Sequence, residues 1–444
     1  MNRIALTEIV NKADPFHVVG INTGLLALEA YASQNCSKEV ILVNDLDDIF
    51  KVKPDMVCLS SITESYGHAI EAAKSIKSKL KIPVVIGGAH ITSLPESLDP
   101  IFDAAVIGEG EETFLELINS FPNIEKIKGL AYWKNNKLVI NDIRPPIANL
   151  DTLPIPRREK WIEKIGMAYM ITTRGCPYKC SFCSSPVIWG GCRSFSSERV
   201  VLETKEIIEK FKQNYFIFLD DIFILNKERL RAIVERLRDD GITKDVVFSC
   251  FGRVNLIDEE IIALLKTGNV QYLFFGMEFT SNSLLAKYKD QNPTIQEGQK
   301  IIDLLYNNGI RVRTSFIIGT PDETEKNLAS TCDFIEKNKK KLFEIEINPL
   351  IAYPGTEIWK YVMKNKLIKG KIDWSRLKES SCIPMFDPDK YIYLNKKVPY
   401  KTFLDYVKKF QALYREISLA PQHLEEVKKY YKPGDFPARF KPMV

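Results

Sequence analysis

The stretch RGCPYKCSFC, residues 174–183, carries three cysteines, Cys176, Cys180 and Cys183. It follows the apolar run AYMITT (168–173), so the cysteines should lie in a loop at the carboxyl end of a strand, the catalytic face of a (β/α) barrel. A structural zinc site normally takes four protein ligands, and no second cysteine or histidine pair of matching spacing lies nearby. A disulfide would use only two of the thiols. Three thiolates on one loop instead suit a cubane iron–sulfur cluster with one iron left open, and the alternative is three buried cysteines.

The composition of the 444-residue chain is that of an ordinary globular protein, with 45% hydrophobic and 27% charged residues. This length predicts two or more domains. The net charge of +5 is too small to demand a nucleic-acid or membrane partner. Because there is no apolar run of about 18 residues and no signal-peptide pattern, we expect a soluble, cytoplasmic protein. In that reducing compartment the nine cysteines should be metal ligands, catalytic groups or buried apolar residues rather than disulfides.

The N-terminal part of the chain alternates apolar runs with amphipathic stretches, which predicts short buried strands separated by helices. The runs are residues 3–6, 40–43, 56–60, 83–86 and 104–107. This order is typical of an α/β fold with a doubly wound, Rossmann-like sheet, predicted here for residues 1–140. Small or hydroxyl-bearing residues follow three of the runs, at the strand ends where this fold binds its ligand, in SSIT (60–63), GGAH (87–90) and GEGEET (108–113).

A proline-rich connector at residues 141–165 leads into a second strand–helix series. Six repeats predict a partial (β/α)6 barrel of the TIM type over residues 166–355, shorter than the roughly 250 residues of a full barrel. Residues 356–444 are less regular and rich in lysine and aromatic residues, and we expect an α-rich C-terminal extension that covers the substrate. The strand-like runs of the barrel are residues 168–173, 214–220, 245–250, 270–278, 311–319 and 343–350.

The spacing C-x-x-x-C-x-x-C, with Phe182 before the last cysteine and an arginine and a glycine before the first, resembles that of the radical S-adenosylmethionine (SAM) enzymes. The resemblance implies that Cys176, Cys180 and Cys183 hold a [4Fe–4S] cluster whose open iron chelates the amino and carboxylate groups of SAM. It places Phe182 near the adenine. In this family one electron from the cluster cleaves SAM to methionine and a 5′-deoxyadenosyl radical, which abstracts hydrogen from an unreactive carbon.

Two further stretches resemble SAM-binding elements of the family. The first, GMEF, begins at Gly276 and implies that Glu278 meets the amino group of SAM, while Gly276 lets the backbone approach. The second, FIIGTPDE, resembles the G-x-I-x-G-x-x-E element beside the adenine and contributes Gly319. It departs from that element at the first glycine, where Phe316 stands, which weakens the implied contacts of this stretch.

Four other residues, all after the cysteine motif, each have two interpretations. Arg253 in FGRVN either reaches the SAM carboxylate or ribose, or is a surface arginine. Asp220 and Asp221 end the second strand of the barrel, and they either orient SAM or substrate or cap the following helix. Cys382 is a candidate catalytic residue that could donate hydrogen to a radical, the alternative being a passive cysteine.

A doubly wound domain before such a barrel resembles the cobalamin-binding radical SAM class, over about residues 15–355. The resemblance implies that the cobalamin tail lies at the carboxyl edge of the first sheet and is hydrogen-bonded by Ser61 and Thr63. It also implies close backbone approach to the cofactor at four glycines, Gly87, Gly88, Gly108 and Gly110. His17 in DPFHVVG is one residue off the cobalt-ligating D-x-H-x-x-G pattern, so it is either a ligand or a structural histidine. His90 is placed where it could flank the corrin.

These resemblances imply a cobalamin-dependent radical SAM enzyme, a methyltransferase acting on an unactivated carbon or phosphorus through a 5′-deoxyadenosyl radical and methylcobalamin. The alternatives are cyclisation, rearrangement or oxidation, with or without cobalamin. Methylthiotransferases carry extra cysteines before the barrel, where this chain has only Cys36 and Cys58. A non-enzymatic iron–sulfur protein would not need Glu278. The expected partners are a small-molecule, lipid or peptide substrate and an electron donor such as flavodoxin or ferredoxin, with no nucleic acid.

Overall fold

The chain passes several times between two units. The computed structural model describes residues 2–10, 22–158, 168–291, 293–368, 370, 372–378 and 383–430. Unit 1 is formed by Met1–Trp161, Ser184–Gly191 and Ala352–Lys378. Unit 2 is formed by Ile162–Cys183, Cys192–Ile351 and Glu379–Val444.

Within the described residues, unit 1 contains a seven-stranded sheet with the strand order β2-β1-β3-β4-β5-β6-β7. Its strands are β1 (Arg3–Glu8), β2 (Glu39–Leu42), β3 (Met56–Ser60), β4 (Val84–Gly87), β5 (Ala104–Val106), β6 (Leu130–Lys134) and β7 (Lys137–Ile140). Strands β1 to β5 pair in parallel, whereas β6 and β7 are antiparallel to their neighbours. The strand order reverses beside β1, and doubly wound sheets bind ligands at such a reversal.

Both faces of this sheet are covered, because successive side chains of each strand point to opposite sides. Ala5 and Val57 enter one apolar cluster, while Ile4 and Met56 enter the other. The helices that connect the strands are α1 (Thr23–Asn35), α2 (Leu46–Val52), α3 (Tyr66–Leu80), α4 (Ala89–Ser93) and α5 (Glu111–Ser120). Unit 1 is therefore a doubly wound layer structure whose carboxyl strand ends share one edge.

In the described part of unit 2, the main sheet has six strands in the order β15-β14-β13-β12-β11-β8, all paired in parallel. A short antiparallel pair, β9 and β10, lies outside it. The strands are β8 (Ala168–Met170), β9 (Thr173–Arg174), β10 (Arg193–Ser194), β11 (Tyr215–Phe218), β12 (Val247–Gly252), β13 (Val270–Glu278), β14 (Arg311–Ile318) and β15 (Leu342–Pro349). A register shift between Gly276 and Glu278 marks a bulge at the end of β13.

Ten more helices follow in chain order, and two of them, α6 and α13, belong to unit 1. They are α6 (Ser185–Trp189), α7 (Ser197–Phe211), α8 (Lys227–Asp239), α9 (Glu259–Thr267), α10 (Asn282–Tyr288), α11 (Ile295–Asn307), α12 (Glu325–Asn338), α13 (Glu357–Lys364), α14 (Tyr400–Ser418) and α15 (Pro421–Lys428), all within the described residues. A capping box starts α11: Glu297 N donates to Thr294 Oγ1 at 3.2 Å, and Thr294 N donates to the Glu297 carboxylate at 2.6 Å.

The two faces of the unit 2 sheet differ in chemistry. Phe275, Thr314 and Ile345 are fully buried on one face, as expected for the side that packs on helices. On the other face Gly276 is partly exposed and pairs with Ser315, which in turn pairs with Glu346. The polar, partly open face is therefore the one that can receive a ligand.

The structure confirms the predicted fold class, an α/β protein with a Rossmann-like unit followed by a partial parallel barrel. Two features differ from the predictions. The antiparallel strands β6 and β7 were not expected, and they lie on the edge of the first sheet. The expected C-terminal extension is divided, since residues up to Lys378 fold onto unit 1, where Trp374 packs on His90 with ring centroids 4.6 Å apart. In the described part of the chain, no helix is both long enough and apolar enough to cross a bilayer.

Candidate functional site

The three cysteines of the opening motif lie in the loop that leaves β9. Cys176, Cys180 and Cys183 are each partly exposed, and Cys183 N donates to Cys180 O at 3.0 Å, which turns the second half of the loop. Gly175 begins the loop with a φ of +86°, a conformation that favours glycine. Burial raises the pKa of the Cys176 thiol to about 11, so binding iron there must displace a proton.

The donor set of this loop fits a cluster rather than a single metal ion. Across the described residues, no three cysteine, histidine or acidic side chains come close enough to share one ion. A cubane cluster places each thiolate on a different iron, so its ligands do not converge on one point. Three sulfur donors on a partly exposed loop therefore suit a [4Fe–4S] cluster with one open iron.

The middle of the cysteine loop is hydrogen-bonded to the last residue of α10 and to a residue just after this helix. Lys179 N donates to Asp290 Oδ2 at 2.9 Å, and Ser181 N donates to Tyr288 O at 2.9 Å. Both contacts use backbone N–H groups of the loop, so they fix the backbone conformation of the loop independently of its side chains. The loop thus has a fixed support that is more than 100 residues away in sequence.

Asp220 supports the beginning of the same loop. Its carboxylate is buried and accepts hydrogen bonds from Thr172 N at 2.5 Å, Thr172 Oγ1 at 2.5 Å and Thr173 N at 2.9 Å. Burial raises the pKa of Asp220 to about 6, and these hydrogen bonds oppose the shift. The carboxylate therefore anchors the chain just before Arg174, a structural role that neither of the two interpretations from sequence included.

Arg253 is buried, with 6% of its surface exposed, so the interpretation as a surface arginine is wrong. Its Nε donates to Asn255 Oδ1 at 2.9 Å, its Nη1 lies 3.5 Å from Cys180 Sγ, and its Nη2 donates to Asp290 O. The guanidinium carbon lies 3.9 Å from the centroid of the Tyr178 ring. Arg253 is thus packed against the cysteine loop itself, and a contact with SAM stays a prediction.

Gly276 and Glu278 form one structural element at the end of β13. The Glu278 side chain folds back over Gly276, so a Cβ at that glycine would overlap Glu278 Oε1. Glu278 adopts a φ of +66°, and Ser315 Oγ donates to its Oε2 at 3.2 Å. The bulge and the glycine together aim the carboxylate across the open face of the sheet.

Lys289 is a functional candidate that the sequence analysis missed. It is buried, with 5% of its surface exposed, and its Nζ donates to Gly276 O and lies 3.7 Å from Glu278 Oε1. Burial lowers the pKa of Lys289, while the Glu278 carboxylate opposes that shift. Nothing local in the sequence distinguishes this lysine, because only the fold brings it beside Glu278.

The turn after β14 is built around Gly319. This residue has a φ of +81°, its N–H donates to Glu323 Oε2 at 2.5 Å, and a Cβ there would lie 2.5 Å from Tyr391 Oη. Glu323 is buried, which raises its pKa to about 8 against the hydrogen bonds from Gly319 and Thr320. Phe316 is also fully buried and lies edge-on to Phe334 at 6.1 Å, on the helix side of β14 rather than the open side.

Aromatic rings connect the cysteine loop to this turn. Phe182 lies edge-on to Phe279 at 6.3 Å between ring centroids, and Phe279 lies 5.5 Å from Tyr288. Tyr288 Oη in turn donates to Asp322 Oδ2 at 2.5 Å. The candidates Phe182, Gly276, Glu278 and Gly319 therefore belong to one connected region of unit 2.

In unit 1 the predicted cofactor edge contains a buried hydroxyl group without a partner. Ser61 Oγ accepts or donates no hydrogen bond, although Ser61 is only 1% exposed. Such an atom is costly unless a ligand satisfies it, so it fits the polar tail of a bound cofactor. Thr63 differs, because its Oγ1 lies 3.4 Å from His90 Nδ1.

The four glycines at this edge differ in backbone conformation and in the space that a side chain would have. Gly88 has a φ of +102°, and a Cβ there would lie 2.5 Å from Ser61 O, so the protein itself requires this glycine. Gly108 has a φ of +79° and open space around it. A Cβ at Gly87 would make ordinary contacts, and one at Gly110 would press on Leu28 at 3.0 Å. Gly108 is thus the glycine with the most room for a ligand.

His90 is fully buried rather than exposed at a cofactor surface. Its ring lies 4.1 Å from the Tyr66 ring and 4.6 Å from the Trp374 ring, and its Nε2 is 3.0 Å from Ser97 Oγ. Burial lowers the pKa of His90 to about 4, so the ring is neutral at pH 7. His17 and Cys382 lie outside the described residues.

Comparison with known proteins assigns both units. The Radical SAM superfamily matches residues 170–335, and the B12 binding domain matches residues 21–118. An uncharacterized methyltransferase of Pyrococcus horikoshii is 33% identical over 334 residues, which cover 72% of each chain. The chain belongs to the cobalamin-binding radical SAM family. As a radical SAM enzyme of this family it uses a [4Fe–4S] cluster, SAM and cobalamin.

Other proteins similar to this radical SAM enzyme have different named reactions. Bacteriochlorophyllide d C-8(2)-methyltransferase of Chlorobaculum tepidum is 26% identical over 72% of the chain and 71% of the relative. An anaerobic magnesium-protoporphyrin IX monomethyl ester cyclase of Rubrivivax gelatinosus is 29% identical over 65% of the chain, which spans 56% of the cyclase. The fold matches the radical SAM methyltransferase TsrM from Kitasatospora setae, solved with cobalamin and a [4Fe–4S] cluster, with a TM-score of 0.74, 17% identity and coverage of 93% and 89%.

Proposed function

We propose that this enzyme methylates an unactivated carbon of an organic substrate. One observation carries the proposal: a single chain holds the three-cysteine loop and Glu278 in one unit and also a doubly wound sheet with the unpartnered Ser61 hydroxyl at its carboxyl edge. When bound, the cluster and SAM supply a radical that removes hydrogen from carbon, and cobalamin supplies the methyl group. Relatives named as carbon methyltransferases support carbon over phosphorus as the acceptor.

In unit 2, different residues bind the cluster and SAM. Cys176, Cys180 and Cys183 hold the cluster as thiolates. Glu278, held by Ser315 at 3.2 Å, presents a negative carboxylate to the amino group of SAM. Three further residues shape the surface around the bound SAM. Phe182 and Gly319 lie beside its nucleoside, and Gly276 lets SAM approach the protein backbone.

Unit 1 holds the second cofactor in this proposal. The Ser61 hydroxyl and the space at Gly108 are the features best suited to the cobalamin tail. The Thr63 hydroxyl is oriented towards His90, so its contribution is weaker. Gly87 also leaves the backbone accessible at this edge, whereas Gly88 and Gly110 contribute by allowing the close packing on Ser61 and Leu28 that shapes the edge.

The enzyme acts on a small-molecule, lipid or peptide substrate and receives electrons from a flavodoxin or ferredoxin in the cytoplasm. An assay of cluster reduction with purified flavodoxin tests the donor, and the absence of any reduction would argue against it.

The reaction is tested with SAM that carries a deuterated methyl group. The anaerobically loaded enzyme is incubated with a reductant and a pool of candidate small molecules, and products that gain the label are identified by mass spectrometry. We expect labelled product with the wild-type chain and with Cys332→Ser, a half-buried cysteine on α12, and none with Cys180→Ala. Release of 5′-deoxyadenosine without any labelled product would contradict methylation.

A second candidate function is ring closure, which the 29% identical cyclase of Rubrivivax gelatinosus favours. The same assay separates the two reactions. Cyclisation would consume SAM and yield a product that has lost hydrogen but has gained no methyl label.

A further inference from the structure

The Arg253 guanidinium is held on several sides within unit 2. Its three nitrogens meet Asn255 Oδ1 at 2.9 Å, Cys180 Sγ at 3.5 Å and the carbonyl oxygen of Asp290. Its plane faces the Tyr178 ring, with 3.9 Å from the guanidinium carbon to the ring centroid. A buried cation needs such partners, because losing water without them is costly.

These partners are themselves connected. Asn255 Nδ2 donates to Tyr178 Oη at 3.1 Å, so Arg253, Asn255 and Tyr178 close a ring of contacts. Asp290, the third partner, also accepts the N–H of Lys179 through its carboxylate at 2.9 Å. The planar guanidinium is therefore fixed in one orientation, with one edge towards Cys180.

We propose that Arg253 is a positioning residue of the iron–sulfur cluster. Its guanidinium donates a hydrogen bond to the Cys180 ligand and raises the reduction potential of the cluster. A positive group near a ligand sulfur stabilises the more negative, reduced state of the cluster. Hydrogen bonds to the ligand sulfurs and the net charge around the cluster are established determinants of its potential. Arg253 supplies both, since its charged Nη1 lies 3.5 Å from Cys180 Sγ.

This role differs from a contact with SAM in a way that can be measured. A SAM ligand would change the affinity for SAM and leave the potential of the SAM-free cluster unchanged. A residue that donates a hydrogen bond to Cys180 changes the reduction potential of the cluster even before SAM is added. The proposal also does not depend on which substrate is methylated, so it can fail or hold separately from the proposed function.

The experiment compares Arg253→Gln with Arg253→Lys and with Arg238→Gln, an exposed arginine of α8 that serves as the matched control. Each full-length chain is purified without oxygen and loaded with iron and sulfide. Iron content, the midpoint potential from an EPR-monitored redox titration without SAM, and the SAM affinity are then measured.

We expect Arg253→Gln to have a more negative midpoint potential than the wild type, Arg253→Lys to show a smaller shift, and Arg238→Gln to show none. A fully loaded Arg253→Gln chain with the wild-type potential would overturn the proposal, including when its SAM affinity is weakened. If Arg253→Gln does not load iron, Asn255→Ala provides the second test. It removes the Nε partner and should shift the potential in the same direction, and an unchanged potential would overturn the proposal.

Discussion

At the scale of single residues, the proposed SAM-binding part of unit 2 depends on side chains that constrain one another. Glu278 occupies a left-handed backbone conformation and lies over Gly276, while the Lys289 ammonium group contacts both residues. Placing a carboxylate beside a buried ammonium group keeps both charges compensated. The two side chains are only 3% and 15% exposed, so each is the main partner available to balance the other's charge there.

Replacing Glu278 with glutamine removes the negative charge proposed to meet the amino group of SAM. Hydrogen bonds to charged groups contribute about 1.5–3 kcal/mol, so we expect SAM affinity to fall by about tenfold or more. Equilibrium dialysis of the loaded chain measures this affinity. The exposed Glu336→Gln on α12 is the control, and a Glu278→Gln chain with full iron content and wild-type affinity would contradict the assignment.

Replacing Gly319 with alanine places a Cβ against Tyr391 Oη in a left-handed backbone conformation. The conformation alone costs about 1–2 kcal/mol. We expect a lower melting temperature and weaker SAM binding. Combining the change with Tyr391→Phe should recover part of the loss, because the clashing oxygen is removed. Additive effects of the two substitutions in a double-mutant cycle would show that the contact is not responsible.

At the scale of elements, the turn after β14 and the segment Ala352–Lys378 show how distant parts of the chain complete each unit. Asn395 Nδ2 donates to Thr320 O at 2.6 Å and to Glu323 O at 2.7 Å, which ties the C-terminal part of unit 2 to the turn. In unit 1, Trp374 is stacked near Trp359 at 6.2 Å and packs on His90. Both regions are stabilised by residues far away in sequence.

The buried Glu323 makes the stability of this turn depend on pH. Its pKa rises from 4.5 in the unfolded chain to about 8 in the folded chain, so the folded state binds more protons between these values. Its contribution to stability is fully present below about pH 4.5 and is lost as the pH rises towards 8. Glu323→Gln should flatten this part of the curve of stability against pH, as measured by urea unfolding. A variant with the same slope as the wild type would contradict the assignment.

Trp374→Ala should destabilise unit 1, because the indole packs against His90 and Tyr66. Complete burial of a tryptophan would make the loss roughly 3–5 kcal/mol, and since Trp374 is only half-buried we expect less. Urea unfolding measures the change in the free energy of unfolding. Limited proteolysis then shows whether the residues around α3 have become easier to cleave. Met363→Ala, which is 45% exposed on α13, is the control, and equal stability of the two variants would rule out a supporting role for Trp374.

At the scale of the whole molecule, the two donor sets lie in different units, which fold around separate sheets. The cysteine loop, Glu278 and Arg253 belong to unit 2, and Ser61 with Gly108 belongs to unit 1. Loading of one cofactor should therefore require the folding of its own unit.

Two variants test this separation. Cys180→Ala should lose the cluster and still retain about one cobalamin, whereas Ser61→Val should lose cobalamin and retain the roughly four irons of a [4Fe–4S] cluster. Iron analysis and the absorbance of cobalamin after desalting measure the two contents in the same sample. Loss of both cofactors in each variant, in chains that are otherwise folded, would contradict the separation.

The sequence alone determined the features that depend on residues close together in the chain. The cysteine loop and the alternation of strands with helices were predicted because ligand spacing and apolar periodicity are local properties, and the roles of Gly276 and Glu278 were predicted from the resemblance of GMEF to a family element. The tertiary structure decided which distant side chains meet: Arg253 with Cys180, 73 residues apart, Lys289 with Glu278, and Trp374 with His90. Such contacts depend on strand order, on the path of the chain between units and on which face of each element is buried, and no local pattern encodes these.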